Sequence, residues 1–268
     1  MILMINGSMR GSTGNTGSFL KALEPKLKGD VQTVELRKYT ADLTPVVEMI
    51  NKADVVILGS PLYVDGFPSN VIRLLEELHD HHKEEIKGKP LYGVSNLGFW
   101  EGQQLYLQHQ ILEHFCRRSG MQYCGAIGIG AGPFMRVLTD KGITGGPAKC
   151  YAEGLNKLAD AINSRSVTEN IYTKAHGLTK KGDDPANPNR FYRFMYIRVA
   201  HRYWMKEVNK FGLKRRDVVK FHGKYIFDDW HKTAYRYGPF PNDLRVLEMV
   251  FFVCWISCVA APNAEQRI

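Results

Sequence analysis

Along the first 163 residues, hydrophobic positions switch repeatedly between a short and a long period. Residues 1–5 form an apolar run, and residues roughly 16–28 carry helical periodicity. Residues 31–36 alternate as a strand, and Val46, Val47 and Ile50 mark a short helix. Residues 53–59 are nearly all apolar, as in a strand buried on both faces of a parallel sheet. Residues 69–82 predict a helix with Val71, Ile72, Leu74, Leu75 and Leu78 as its core stripe. A fourth strand follows at 90–95, a fourth helix at 103–119, a fifth strand at 123–129 and a closing helix at 148–163. Five strand–helix units in series specify an α/β fold built on a doubly wound parallel sheet.

In such a sheet a ligand lies beyond the C-terminal ends of the strands. Loops 6–16, 60–68 and 96–102 fall at that edge, and all three have unusual composition. The first is rich in Gly, Ser, Thr and Asn and sits between a strand and a helix. Its backbone N–H groups and the positive end of the helix dipole converge, which suits an anion. Ser8, Ser12, Thr13, Asn15 and Thr16 add donors, and Arg10 adds a charge. No Gly-Lys-Ser/Thr follows and the Gly-x-Gly-x-x-Gly spacing is absent, so a terminal monophosphate fits better than a pyrophosphate. FMN carries such a group. The second loop holds two prolines and a glycine around Leu62, Tyr63, Val64 and Phe67, a rigid apolar platform for a flat ring. The same aromatics would also serve to cap the core. In the third, Asn96 and glycine backbone can meet a heterocycle edge that Phe99 or Trp100 flanks, or the aromatics pack on the next helix.

As an ordered set, Gly7-Ser8-Met9-Arg10 with Gly14-Asn15-Thr16, then Ser60-Pro61-Leu62-Tyr63, then Asn96-Leu97-Gly98-Phe99 resembles the flavodoxin-like NAD(P)H-dependent FMN reductase family. The resemblance covers the chain to about residue 163. It implies a five-stranded flavodoxin-like sheet in the order 2-1-3-4-5, FMN as cofactor and NAD(P)H as reductant. It assigns Ser8, Arg10, Gly14, Asn15 and Thr16 to the phosphate, and Pro61, Leu62, Tyr63, Val64, Asn96, Gly98 and Phe99 to the ribityl chain or ring. It also implies a homodimer with the ring near the interface. No residue is assigned a catalytic role, because the flavin itself carries the redox chemistry. The related iron–sulfur flavoproteins add an early cysteine cluster; here Cys116 is the first cysteine, so an iron–sulfur centre is not expected.

Beyond residue 166 the alternation stops, which predicts two domains: a flavodoxin-like FMN-binding domain at 1–165 and a basic, aromatic-rich, mainly helical extension at 166–268. The net charge is +9. Signs are roughly balanced to residue 165, with an excess of about eight positives after it. Residues 180–189 read as a linker, 191–211 as a basic helix and 242–261 as a final helix. The basic helix reads as a solvated face, so nucleic acid is not the expected partner. The apolar stretch 249–261 is shorter than the ~20 residues that span a bilayer, so packing or peripheral membrane contact is the expectation.

Five cysteines without disulfide spacing, and no targeting segment, point to a cytoplasmic setting, with membrane association as the alternative. The His79-Asp80-His81-His82 cluster reads as a solvated helix end rather than a metal site, and Cys254 and Cys258 as packing residues. The expected activity is electron transfer from a nicotinamide through flavin N5 to a small conjugated acceptor of quinone, azo, nitro or flavin type. The alternatives are a flavodoxin-type electron carrier and a membrane- or nucleic-acid-binding flavoprotein.

Overall fold

The computed structural model describes residues 1–99, 102–174, 198, 201, 202, 205, 206 and 208–212. Six parallel strands form one sheet in the order β2-β1-β3-β4-β5-β6. They are β1 (Ile2–Asn6), β2 (Val31–Glu35), β3 (Val55–Pro61), β4 (Pro90–Asn96), β5 (Gln122–Ile129) and β6 (Ile171–Thr173). The helices are α1 (Asn15–Leu23), α2 (Thr44–Lys52), α3 (Ser69–His81), α4 (Lys83–Ile86), α5 (Tyr106–Ser119), α6 (Gly132–Asp140) and α7 (Lys149–Ser164).

The strand alternation divides the core. Ile2 and Met4 of β1 face Phe19, Leu20 and Leu23 of α1 and Leu155, Leu158 and Ile162 of α7. Leu3 and Ile5 face the other way, toward Val46, Val47 and Ile50 of α2, Val71 and Leu74 of α3 and Leu112 of α5. Each such side chain, fully buried, contributes roughly 1.5–3 kcal/mol. Register then places the ligand edge. Asn6 pairs with Gly59, Pro61 with Asn96, and Asn96 with Ile129. Strands β1, β3 and β4 therefore release their loops side by side.

Several expectations are corrected. The first helix stops at Leu23, and Glu24–Lys26 tightens into a 3-10 turn around Pro25, whose ring and missing N–H end the helix. Ile72 lies off the core stripe of α3 that the sequence predicts and is 44% exposed. The five-stranded order gains a sixth strand at the β5 edge, beyond the expected boundary at 165. Its approach is held by Asn170, whose Oδ1 accepts from the Tyr123 hydroxyl at 2.6 Å and the Ala126 N–H at 3.1 Å. Gly125, at φ +100°, leaves the room: a Cβ there would stand 2.4 Å from the Thr168 carbonyl oxygen. Helix α6 was also not foreseen; its start is marked by Pro133.

The chain divides into two units, residues 1–200 and 201–268. Within the expected helix 191–211, the described residues Arg198, His201, Arg202, Met205, Lys206, Val208 and Asn209 are helical. Lys210 and Phe211, expected in that helix, form a turn, and the rest of it, the linker 180–189, the helix 242–261, Trp100 and the pair Cys254 and Cys258 lie outside the described residues. Among the described residues, no helix is long and apolar enough to cross a membrane.

Candidate flavin site

The first loop is wound back on itself by local hydrogen bonds. The Ser8 N–H donates to Asn6 Oδ1 at 3.1 Å, and the Arg10 N–H donates to Ser8 Oγ at 3.2 Å. Thr13 Oγ1 donates to the Arg10 carbonyl at 2.8 Å. Ser8 is buried, and its hydroxyl hydrogen remains able to serve an anion. The Arg10 side chain is exposed. Gly14 is the N-cap of α1 and no side chain caps it, so the first helical N–H groups keep their capacity for an outside acceptor. Gly17 lies beneath the loop. A Cβ there would be 2.6 Å from Ser12 Cα and 2.7 Å from the Ser12 carbonyl oxygen. This glycine is absent from the sequence-based site, although its place three residues into α1 is the available signal.

Two more residues far along the chain brace this loop. Asn70 at the start of α3 donates from Nδ2 to the Gly7 carbonyl at 3.1 Å. Glu35, the last residue of β2, accepts the Ser12 N–H at 2.8 Å. That N–H, aided by Arg37, holds the Glu35 carboxyl down at about 2. Nothing local in the sequence marks either brace.

In the second loop, Tyr63 and Gly66 exchange two backbone hydrogen bonds of 3.0 Å around a two-residue turn. Val64 (φ +48°) and Asp65 (φ +59°) occupy the left-handed region. For β-branched Val64 this strain costs about 1–3 kcal/mol, and it holds the side chain fully in solvent. Tyr63 is 42% exposed, Leu62 is half-buried, and Pro61 and Phe67 are buried. Phe67 thus packs in the core rather than joining the platform. Gln108 of α5, itself buried, clamps the turn by donating from Nε2 to the carbonyls of Pro61 and Gly66, both at 3.1 Å.

Asn96 closes the gap between the loops. It is buried, and its Nδ2 donates to Thr16 Oγ1 at 2.7 Å and to the Ser60 carbonyl at 3.3 Å. The Leu62 N–H donates to the Asn96 carbonyl at 2.9 Å. One residue therefore ties all three loops together. This geometry gives its amide a structural use in addition to the ring contact that the sequence suggests. Gly98 and Phe99 project outward, Phe99 40% exposed, and a Cβ on Gly98 would meet nothing within 4 Å. The start of α6 supports this loop: the Ala131 N–H donates to the Phe99 carbonyl and the Gly132 N–H to the Leu97 carbonyl.

Next to Gln108, His109 is fully buried and stacks on Tyr172 of β6, with ring centroids 5.2 Å apart. Neither of its ring nitrogens has a hydrogen-bond partner among the described residues, and burial lowers its pKa to about 4. Elsewhere, His79 contacts Asp80 at 2.7 Å, and His82 lies near Glu77 and Glu85 at the exposed end of α3. Among the described residues no group of His, Cys, Asp and Glu could hold a metal ion.

The edge thus combines a buried hydroxyl, uncapped helix amides and an exposed arginine with a shelf of exposed apolar side chains, Tyr63, Val64 and Phe99, on the two neighbouring loops. This donor set fits a phosphate monoester joined to a flat ring, and so fits FMN. Residues 1–130 match the family described as NADPH-dependent FMN reductase. No curated protein sequence matches the chain. Solved structures with similarity include general stress protein 14 from Treponema denticola, in complex with FMN, at 13% identity over 60% of this chain and 98% of its own, TM-score 0.48. The flavoenzyme NAD(P)H:(acceptor) oxidoreductase FerB from Paracoccus denitrificans is 17% identical over 61% of this chain and 94% of its own, TM-score 0.47. A flavodoxin from Streptococcus pneumoniae TIGR4 is 18% identical over 61% of this chain and 98% of its own, TM-score 0.45.

Proposed function

We propose that this chain, whose residues 1–130 match the NADPH-dependent FMN reductase family, uses an NAD(P)H-dependent flavin oxidoreductase domain to reduce a small conjugated acceptor. The acceptor is of quinone, azo, nitro or flavin type. What favours it is the openness of the shelf: exposed Tyr63, Val64 and Phe99 offer apolar area to a second flat molecule.

The chemistry supplied by bound FMN is hydride uptake from a nicotinamide and onward electron transfer. The chain's own residues bind and orient. Ser8, Asn15, Thr16 and Arg10 would hold the phosphate through hydroxyl, amide and charge. Asn96 fixes the distance between phosphate loop and ring shelf through its bonds to Thr16 and Ser60. Gln108 holds the Tyr63–Gly66 turn in place, the turn whose residues would face the ring. No side chain is required to move a proton, and none is assigned that role.

The observation that carries this reading is the uncapped start of α1 in the loop that holds buried Ser8. Titration of the flavin-free full chain with FMN and with riboflavin tests it. FMN should bind at least about tenfold more tightly, since its phosphate adds charge-assisted hydrogen bonds. Equal affinity for the two contradicts the phosphate assignment.

A second copy of the chain is the proposed occupant of the groove of about 660 Å³ between α3 and α5. Ile72, Leu107 and Ile111 line it, and Asp65 and Phe67 make it continuous with the ring-side loop. Sedimentation should show a dimer that Leu107→Glu dissociates; a wild-type monomer at working concentration rules this out.

A further inference from the structure

We propose that Glu35 is a positioning residue of the phosphate loop: its carboxylate takes the Ser12 N–H from outside the loop and thereby holds the turn at residues 11–13 against the start of α1. The inference rests on the reading of residues 8–16 as the FMN phosphate loop. Glu35 ends β2, outside every segment assigned to the flavin. Its Oε1 accepts the Ser12 N–H at 2.8 Å. Its Oε2 accepts from Arg37 Nε at 3.0 Å and lies 2.9 Å from the second guanidinium nitrogen, with Lys38 Nζ at 3.7 Å. Only 14% of its side chain is exposed. Two cations therefore offset a charge that would otherwise repel an incoming phosphate.

The loop is shaped to meet this pair. Gly11 adopts φ +57°, which non-glycine residues rarely take, and a Cβ there would lie 2.4 Å from Arg37 Nε and 2.8 Å from Glu35 Oε2. The turn at Gly11 thus rests directly on the carboxylate–guanidinium pair. The Gly11 N–H donates to the Ser8 carbonyl and the Gly14 N–H to the Gly11 carbonyl. Fixing Ser12 from outside consequently sets Ser8 and the start of α1 on the inside. An anion supplied by the chain holds the loop in shape before the ligand arrives, which lowers the ordering cost of binding.

The test uses the flavin-free full chain and the variants Glu35→Gln, Glu35→Ala and Gly11→Ala, each titrated with FMN and riboflavin. Glu35→Gln retains an oxygen for the Ser12 N–H and should bind FMN within about threefold of the parent. Glu35→Ala should weaken FMN about tenfold, roughly one charge-assisted hydrogen bond, while riboflavin affinity stays put. Gly11→Ala disturbs the same contact from the loop side and should also weaken FMN selectively, which keeps the test decisive if Glu35→Ala folds poorly. An unchanged ratio of FMN to riboflavin affinity in both Glu35→Ala and Gly11→Ala overturns the proposal, as does a Glu35→Gln loss as large as that of alanine. A parent chain without any preference for FMN is a different result and overturns the functional reading itself.

Discussion

Replacing Gly17 by alanine should lower FMN affinity by about 10- to 100-fold. The added Cβ would stand 2.6 Å from Ser12 Cα, 2.7 Å from the Ser12 carbonyl oxygen and 2.8 Å from the Gly11 carbonyl oxygen. All three are backbone atoms, so no rotamer change relieves the contact. Overpacking of this kind costs about 1–3 kcal/mol, and the cheapest relief is to lift the 3-10 turn Gly11–Thr13 away from α1. That motion separates Ser8 and Arg10 from the helix amides proposed to share the phosphate with them. Alanine is also the better helix former by about 1 kcal/mol, which offsets part of the loss in overall stability. Thermal unfolding of the flavin-free variant should therefore reflect a net loss of no more than about 2 kcal/mol, while FMN titration shows the larger effect. Full affinity in Gly17→Ala would mean that the phosphate does not depend on this packing.

The second large effect is an acid-sensitive fold. His109 is buried as a neutral imidazole with its pKa lowered from 6.5 to about 4. Between those values the unfolded chain takes up a proton that the folded chain excludes, so stability must fall as pH falls. Its contribution is complete above pH 6.5 and is lost progressively down to about 4, at 1.36 kcal/mol per unit. The whole window is worth roughly 3 kcal/mol. Glu35 acts in a separate, lower window: its carboxyl is depressed from 4.5 to about 2, so its contribution is present above 4.5 and is lost below. Denaturant unfolding measured at several pH values should show the first loss between 6.5 and 4 in the parent, and a much flatter profile in His109→Leu. A parent profile flat over that range would show that the imidazole already finds a proton acceptor.

The parts of this molecule that were legible in sequence are those written in local patterns. β1 and β3 open with unbroken apolar runs, Ile2–Ile5 and Val55–Leu58, because both of their faces are covered. Helix α3 shows its buried stripe, although Ile72 misled, because an exposed isoleucine beside a groove looks like one in the core. The three loops stood out by composition, and the register of β1, β3 and β4 brings them together.

What was illegible depends on contacts between distant residues. β6 has only three residues and is placed by the Asn170 side chain, not by its own hydrophobicity. Gln108, Asn70 and Glu35 reach the loops over 42, 63 and 23 positions of sequence, and no periodicity records such pairs. Asn96 was recognised as a polar group at the right strand end. Its inward bond to Thr16 follows only from the folded distance of 2.7 Å.

The most direct measurement is anaerobic titration of the FMN-loaded full chain with NADPH and NADH, followed by visible absorbance. Oxidised flavin colour should disappear on addition of about one equivalent of at least one nucleotide and return when a quinone is admitted. A bound flavin that dithionite bleaches but neither nucleotide does would contradict the oxidoreductase assignment and leave an electron carrier in its place.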